Sequence, residues 1–556
     1  MLIEERQHLH QTHEVKNQPK PLENYNLYLE DQPLREAIQR HGADWMEDRL
    51  RAFGQHIGRA EFLQLGDLAN RFSPVLQTHD RFGNRRDEVE FHPAYHELMR
   101  ASIKAEMHAL PWNHPRAGAH VARAATHYLL SQVEAGVGCP ITMSFASVPA
   151  LRLQPEIADE WVPRVTSTKY DQRVIPASQK TGSMIGMAMT EKQGGSDVRA
   201  NDTRAVPIGA EGPGQEYLLT GHKWFVSGIM ADAFLATAHT ENGLTCFFVP
   251  KFLPDGTKNR FFMLRLKDKV GNRSNATGEV ELLDTWARMV GDEGRGVPTI
   301  IEMVNHTRLD CAIGMASVMR QALTQAIHNC AHRAAFGNTL LDQPLMQNVL
   351  ADLALESEAA TTLMMRMAQA YDDLREDPET RHFTRMVTAV GKYWISKRAP
   401  HFVFECMECL GGSGYVEECN MPRLYREAPV CAIWEGSGNV ISLDMLRALH
   451  KDPATLPAFL AELDHARGGD KRLDAFLDKL AGEFEDLDGA EPRARRIMEK
   501  LALALQASLL MRFAPDYVAD AFIASRIAGD HGNEYGTLPK NTAFRDIIDR
   551  VRPKAE

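Results

Sequence analysis

The sequence has no apolar run of the roughly 18–20 residues that a membrane-spanning helix needs, so no membrane span is expected. It has no excess of positive charge. A net charge of −11 argues against wholesale attraction to nucleic acid or to anionic membrane, and leaves only a local basic patch open. Cysteine is sparse, eight in 556 residues, as suits reduced thiols in a cytosol. Met1 to Lys20 is polar and His-rich without the apolar core of a signal peptide, so a cytoplasmic protein is expected. Neither G-x-G-x-x-G nor G-x-x-x-x-G-K-[ST] occurs, so a dinucleotide, if bound, is bound by another fold. There is no internal repeat and no low-complexity tract.

What is present is ordinary globular material, 44% hydrophobic and 25% charged, in a chain too long for one core. The apolar period divides it. Residues 1–44 are mixed and polar and read as an extension, with Asn24 to Tyr28 able to dock on another surface. From 45 to 175 apolar residues recur at helical spacing, as at Phe91, Tyr95, Leu98 and Met99. Between 176 and 290 the runs are short and β-type, divided by Gly, Pro, Asn and Asp, which predicts a small antiparallel β-domain. The helical period returns over 291–450 and again over 456–514, before a looser tail to Glu556. The expected fold is α+β and mainly α: helical bundle, β-domain, helical bundle, and an extra helical segment over 451–556.

Two pieces of the β-block stand out. Met187 to Asp197 is a polar loop leaving an apolar run, with hydroxyls at Thr190 and Ser196 and with Gly194 and Gly195 allowing close backbone approach. Gly221 to Gly228 follows, and a turn at Trp224 would supply an aromatic wall. Such a pair suits a planar heterocycle carrying a pyrophosphate; read alone, the first is equally a surface turn.

Thr190-Glu-Lys-Gln-Gly-Gly-Ser-Asp197 resembles the T-E-x-x-x-G-S-D loop of acyl-CoA dehydrogenases. Four further pieces occur in that family's order: Gly221-His-Lys-Trp224, Arg333-Ala-Ala-Phe-Gly337 with Gln343, Leu410-Gly-Gly-Ser-Gly-Tyr415, and Ile433-Trp-Glu-Gly-Ser-Gly-Asn439. The resemblance covers about residues 45–450 and implies FAD held between the domains and across a subunit interface. Asn17-Gln-Pro19 with Leu22 to Tyr28, Cys139-Pro-Ile-Thr-Met143, Leu266 to Ala276 and the extra C-terminal segment look closer to the AidB-type branch, the alkylation-response flavoproteins. That branch implies a homotetramer that binds double-stranded DNA through its C-terminal region and has weak dehydrogenase activity.

The chemistry implied is α,β-desaturation of an acyl-CoA thioester. A base takes the α-proton, the flavin takes the β-hydride, and the protein positions both. The family motif places the base at Glu435, among apolar neighbours that raise a carboxylate pKa. Some relatives place it at the position of Thr307, which is no carboxylate here. Met189, Thr190, Ser196 and Trp224 carry over as flavin contacts. The family's threonine two residues after the tryptophan is Val226, so Ser227 either takes its role or the contact is absent. Arg333, Phe336 and Gln343 match the part that reaches a neighbouring subunit's FAD, an arginine fork being suited to pyrophosphate. Gly411 and Gly412 match the adenosine side, Ser437 and Asn439 the last polar contacts, and Arg308 an arginine near the substrate cavity, which alone is equally a structural ion pair.

No metal is expected. Cys406 and Cys409, with Cys419 and Cys431, have spacings that fit no compact knuckle, and His328 and His332 lack a third ligand. Two functions compete: an FAD enzyme acting on short or branched acyl-CoA, and a DNA-associated flavoprotein with vestigial activity. Residues 451–556 hold 16 Lys and Arg against 19 Asp and Glu, so the segment is not basic overall. Within it Arg493, Arg495, Arg496 and Lys500 cluster at helical spacing, with Arg512 and Arg526 beyond. Such a cluster is ordinarily a solvated face; the branch resemblance is what points it to DNA. Acyl chain and electron acceptor are not legible.

Overall fold

The structure, a computed structural model, describes residues 13–554. Its first stretch docks on its own chain. Leu22, Tyr25, Leu27 and Tyr28 are buried with the long helices, and Tyr25 Oη donates to Gln321 Oε1 at 3.1 Å. Helix α1 (Gln32–Arg40) begins where the Asp31 side chain accepts from the Leu34 N–H, and buries Leu34, Ala37 and Ile38 at helical spacing. Then come α2 (Glu47–Ile57), α3 (Ala60–Arg71) and α4 (Pro93–Lys104). Between α3 and α4 lies an element that the helical spacing did not predict, a hairpin of β1 (Val75–His79) and β2 (Arg85–Glu90). Asp80 closes its loop by accepting from Phe82, and from both the backbone and the side chain of Asn84. Short α5 (Leu110–Asn113) leads to α6 (Ala119–Ser131), α7 (Gly138–Leu151) and α8 (Pro155–Val165). Helices α6 and α7 are buried nearly all round, as central helices should be.

The middle block holds β3 (Ile185–Thr190), β4 (Arg204–Pro207), β5 (Glu216–Ser227), β6 (Ala233–Thr240), β7 (Gly243–Pro250), β8 (Phe261–Leu266) and β9 (Gly278–Val290). The pairings β3–β5, β5–β9, β9–β7, β7–β6 and β6–β3 close a ring. Two pairings depart from the expected antiparallel sheet: β6 runs parallel to β3 and, at Arg204 and His239, to β4. Strand alternation explains the apolar run of β6, because both its faces are covered. Phe234, Ala236 and Ala238 face the barrel core with Phe247, Phe261 and Met289. Ala233 and Leu235 face α7 and α8, against Phe145 and Trp161. Trp224 lies within β5, not in a turn.

Three long helices follow: α9 (Gly296–His332), α10 (Pro344–Glu376) and α11 (Arg381–Cys409). Then come α12 (Met421–Glu427), α13 (Gly438–Lys451), α14 (Thr455–Asp464), α15 (Lys471–Ala481), α16 (Ala494–Phe513), α17 (Asp516–Phe522) and α18 (Phe544–Asp549). The C-terminal tail is not loose. It folds back onto α10, whose buried acids it pairs. Arg526 meets Asp352 and Glu356, and Arg550 donates to Glu358 at 2.7 Å and Glu36 at 2.8 Å. Buried carboxylates in a helix are tolerated only when paired in this way. Arg550→Met should therefore lower the thermal midpoint by several degrees, since stranding a buried charge costs about 3–5 kcal/mol. Arg550→Met with Glu358→Met should recover most of the loss, as read by calorimetry; no recovery would mean that the arginine stabilises by packing alone.

Candidate active site

Glu435 stands on the short loop between Ala432 and α13. Its φ is +55°, followed by Gly436 at +102°. A glutamate in left-handed backbone is unfavourable and persists only where its surroundings hold it. Two cations do so. Lys392, on α11 and 1% exposed, donates from Nζ to the carbonyls of Trp434 (2.9 Å) and Gly436 (2.6 Å). Arg308, on α9, donates from Nε to the carbonyl of Glu435 itself at 3.1 Å, while its Nη1 pairs with Asp444 of α13 at 2.8 Å. Arg308, expected near the substrate, thus ties the Glu435 loop to α13.

The Glu435 side chain meets Thr307, whose Oγ lies 2.7 Å from Oε2 and 2.8 Å from the Val304 carbonyl. One hydroxyl serves both protonation states. It donates to the carboxylate, or accepts from the carboxylic acid while donating to Val304. Burial pushes the Glu435 pKa above its usual 4.5; the Thr307 hydroxyl, then Lys392 and Arg308, oppose that rise. Glu435, Thr307, Cys139, Met143 and Ser227 line one cavity. Burial pushes the Cys139 thiol up to about 11, so it is inert there. Val226 is packed into the barrel core while Ser227 lines the cavity. The alternation of a strand thus puts the serine, not the residue at the family's usual position, on the side of Glu435.

Met189 and Thr190 end β3, half-buried, and Ser196 is exposed on the loop that follows. Residue-by-residue reading missed what fastens that loop. Glu191 and Lys223 form a fully buried ion pair at 2.7 Å. Glu191 also accepts from the Asp202 N–H at 2.6 Å, and Lys223 donates to the Thr237 carbonyl at 2.7 Å. Both sat inside the two recognised motifs; the signal was there in their pairing. Gly194 is needed by its own chain: a Cβ there would fall 2.4 Å from the Asp197 carbonyl. Trp224 is half-buried, with Lys267 Nζ 3.2 Å over its ring.

Arg333 ends α9 and leads into a two-residue hairpin whose tip, Phe336 and Gly337, has positive φ at both positions, as such turns require. Gln343 donates to the Ala335 carbonyl at 3.0 Å and so holds the hairpin. Asn17 of the N-terminal arm grips it too, accepting from Ala334 N at 2.7 Å and, through its carbonyl, from Arg333 Nη1 at 2.8 Å. Phe336 is fully exposed. At the end of α11, a Cβ added to Gly411 or Gly412 would meet nothing within 4 Å, which leaves open space for a ligand. Ser437 stands at the N-cap of α13 with no capping bond from its side chain, and Asn439 is exposed. Each of these places suits part of a cofactor with an anionic pyrophosphate: the unshielded N-terminus of α13, the arginine at the hairpin, and the bare glycine turn after α11.

The basic cluster is brought together only in part. Arg493, Arg496 and Lys500 converge on Glu483, while Arg495 and Arg496 are exposed. Arg512 is bound to Glu462 at 2.8 Å. Arg526, 9% exposed in its side chain and paired with Asp352 and Glu356, does not reach the surface and is withdrawn as a nucleic-acid contact. Cys406 and Cys409 are buried, and His328 Nε2 lies 2.8 Å from the Lys20 carbonyl.

Sequence profiles match this chain in three places. The adaptive response protein AidB N-terminal domain matches residues 17–172, the acyl-CoA dehydrogenase middle domain 186–285, and the acyl-CoA dehydrogenase C-terminal domain 294–450. AidB of Escherichia coli (strain K12) is 46% identical over 92% of this chain and 94% of its own. The chain belongs to the acyl-CoA dehydrogenase family, in its AidB-type branch. Acyl-CoA dehydrogenase family member 11 of Caenorhabditis elegans is 30% identical over 86% of this chain and 78% of its own. The crystal structure of C. elegans ACDH-11 in complex with C11-CoA superposes with a TM-score of 0.84 at 27% identity, over 98% of each chain. An acyl-CoA dehydrogenase of this family is an FAD-dependent oxidoreductase.

The carbonyl clamp can be tested without any substrate. Lys392→Met should raise amide exchange at residues 434–438 by at least tenfold, read by hydrogen-exchange mass spectrometry, with the barrel unchanged. Unaltered exchange in that loop would show that Arg308 and packing hold it unaided.

Proposed function

We propose that this protein desaturates a short or branched acyl-CoA thioester between Cα and Cβ, with Glu435 as the base. The observation that carries the reading is the clamped carboxylate itself: Glu435, held in left-handed backbone by Lys392 and Arg308, lines a cavity with a hydroxyl ready for either of its protonation states. Bound FAD supplies the two-electron acceptor, held by Thr190, Ser196, Trp224, Ser227, Ser437 and Asn439, with Met189 at the strand end and Gly411 and Gly412 leaving room. Glu435 takes the α-proton onto Oε2, and Thr307 turns its hydroxyl toward the Val304 carbonyl as it does so. Desolvation makes the carboxylate a stronger base than a solvated one.

The expected assembly is a homotetramer in the cytoplasm, in which the exposed Phe336 and the fork of Arg333 meet the FAD of a second copy. A fully exposed phenylalanine on an ordered hairpin tip supports a covering partner.

Glu435→Gln should abolish anaerobic flavin bleaching by isovaleryl-CoA while FAD stays bound. In the unaltered protein the rate should fall as pH drops through the Glu435 pKa, which lies above 4.5. Thr307→Val removes a donor to the ionised form and should move that fall to higher pH. Bleaching that survives in Glu435→Gln would exclude it as the base.

A second role is association with double-stranded DNA in protection from alkylation. It rests on the branch and on one observation: Arg495 and Arg496 are exposed on α16, beside two further cations that share Glu483. Replacing both by Ala should weaken binding to unrelated duplex and flatten its salt dependence by roughly one to two charges. An unchanged slope would move the contact elsewhere; no binding by the unaltered protein would leave a purely metabolic dehydrogenase.

A further inference from the structure

The cavity that holds Glu435 has a largely apolar lining in which a few buried polar side chains are set. It runs along α9 from Thr307 through Asp310 and Cys311 to Gly314 and Met315, a length of roughly 10 Å at the rise of an α-helix. Helix α6 lines the same stretch with His127 and Ser131, which stand four residues apart and so share a face. Each is 3% exposed. His127 Nδ1 lies 3.5 Å from Asp310 Oδ2 without making a hydrogen bond. Asp310 is already satisfied by both Nη atoms of Arg123 and by Thr142, at 2.6 Å each. His127 Nδ1 is buried without a hydrogen-bond partner among the described residues, and Ser131 lines the same cavity one helical turn further on. Gly138 keeps the imidazole edge open, since a Cβ there would fall 3.1 Å from Nε2.

A third polar group lines the cavity. Glu427, 3% exposed, accepts from the Asn272 N–H at 2.7 Å through Oε1, while Oε2 has only the Asn272 amide at 3.4 Å. Burial and the neighbouring Glu134 push it up to about 7, so it is poised to donate or to accept. The free space is about 50 Å³, room for only a handful of heavy atoms. An all-carbon chain seated there would strand these buried polar groups. A hydroxyl would pair with them.

We propose that the acyl group taken by this site is short and carries a hydroxyl at its distal end, with His127 and Ser131 as its partners. The substrate class is a hydroxyacyl-CoA thioester. The inference rests on the acyl-CoA reading above and narrows it. A site that hydrogen-bonds a substrate hydroxyl discriminates strongly against the isostere that lacks it, whereas an apolar pocket discriminates weakly.

The test uses the full-length, FAD-loaded protein carrying Glu435→Gln, so that binding is read from the flavin spectrum without turnover. Two pairs differ only by a terminal hydroxyl in place of methyl: 4-hydroxybutyryl-CoA against pentanoyl-CoA, and 5-hydroxypentanoyl-CoA against hexanoyl-CoA. At least one hydroxylated member should bind tenfold or more tightly than its isostere. Adding Ser131→Ala should cut that preference to below threefold. Equal or tighter binding of both alkyl members overturns the proposal, as does a preference that survives Ser131→Ala undiminished. The general reading is scored separately, by bleaching in the protein with Glu435 intact. Bleaching without hydroxyl preference sinks this inference alone; hydroxyl-selective binding without bleaching sinks only the desaturation.

Discussion

The arrangement depends on one contact, the grip of two buried cations on three consecutive carbonyls. Lys392 holds the carbonyls of Trp434 and Gly436, and Arg308 holds the one between them. Without partners these cations would be costly to bury, and without the cations a glutamate at φ +55° would relax toward ordinary backbone. Each side makes the other tolerable. Because Lys392 comes from α11, Arg308 from α9 and Asp444 from α13, the same contact also sets how three helices meet around the cavity.

Buried charge recurs as the means of joining distant parts of the chain. Glu191 and Lys223 fasten the loop after β3 to β5. Arg123 crosses from α6 to Asp310 on α9. Arg526 and Arg550 bring the C-terminal tail onto α10, and Arg320 reaches Asp31 at the start of α1 at 3.0 Å. Replacing such pairs by apolar side chains is often neutral for stability. Here they join elements far apart in the chain, and breaking one by removing a single partner would strand the other charge.

The five ordered motifs carried the family, and with it the barrel between helical bundles and the candidate base. The hairpin of Val75 to Glu90 was hidden because its exposed residues have no strict alternation to read. The parallel pairing of β6 with β3 was hidden because alternation is the same in either direction. Arg526 looked like a residue for a ligand because an arginine in sequence carries no sign of what already holds it. Lys392 went unnoticed for the reverse reason: a lone lysine within a helical pattern reads as a solvated face.

By itself the sequence determined what local pattern can encode: most of the helical segments, where the strands of the middle block lie, and which glycines, hydroxyls and acids occur in the family's order. The tertiary structure alone decided which of those groups meet. Glu435 and Thr307 are 128 positions apart, and Lys392 lies 42 from the first carbonyl it holds. Nothing in the spacing relates such residues, because the burial of unrelated apolar faces brings them together. Desolvation at that meeting point then sets the proton affinity of the carboxylate, a property of its surroundings and not of the residue.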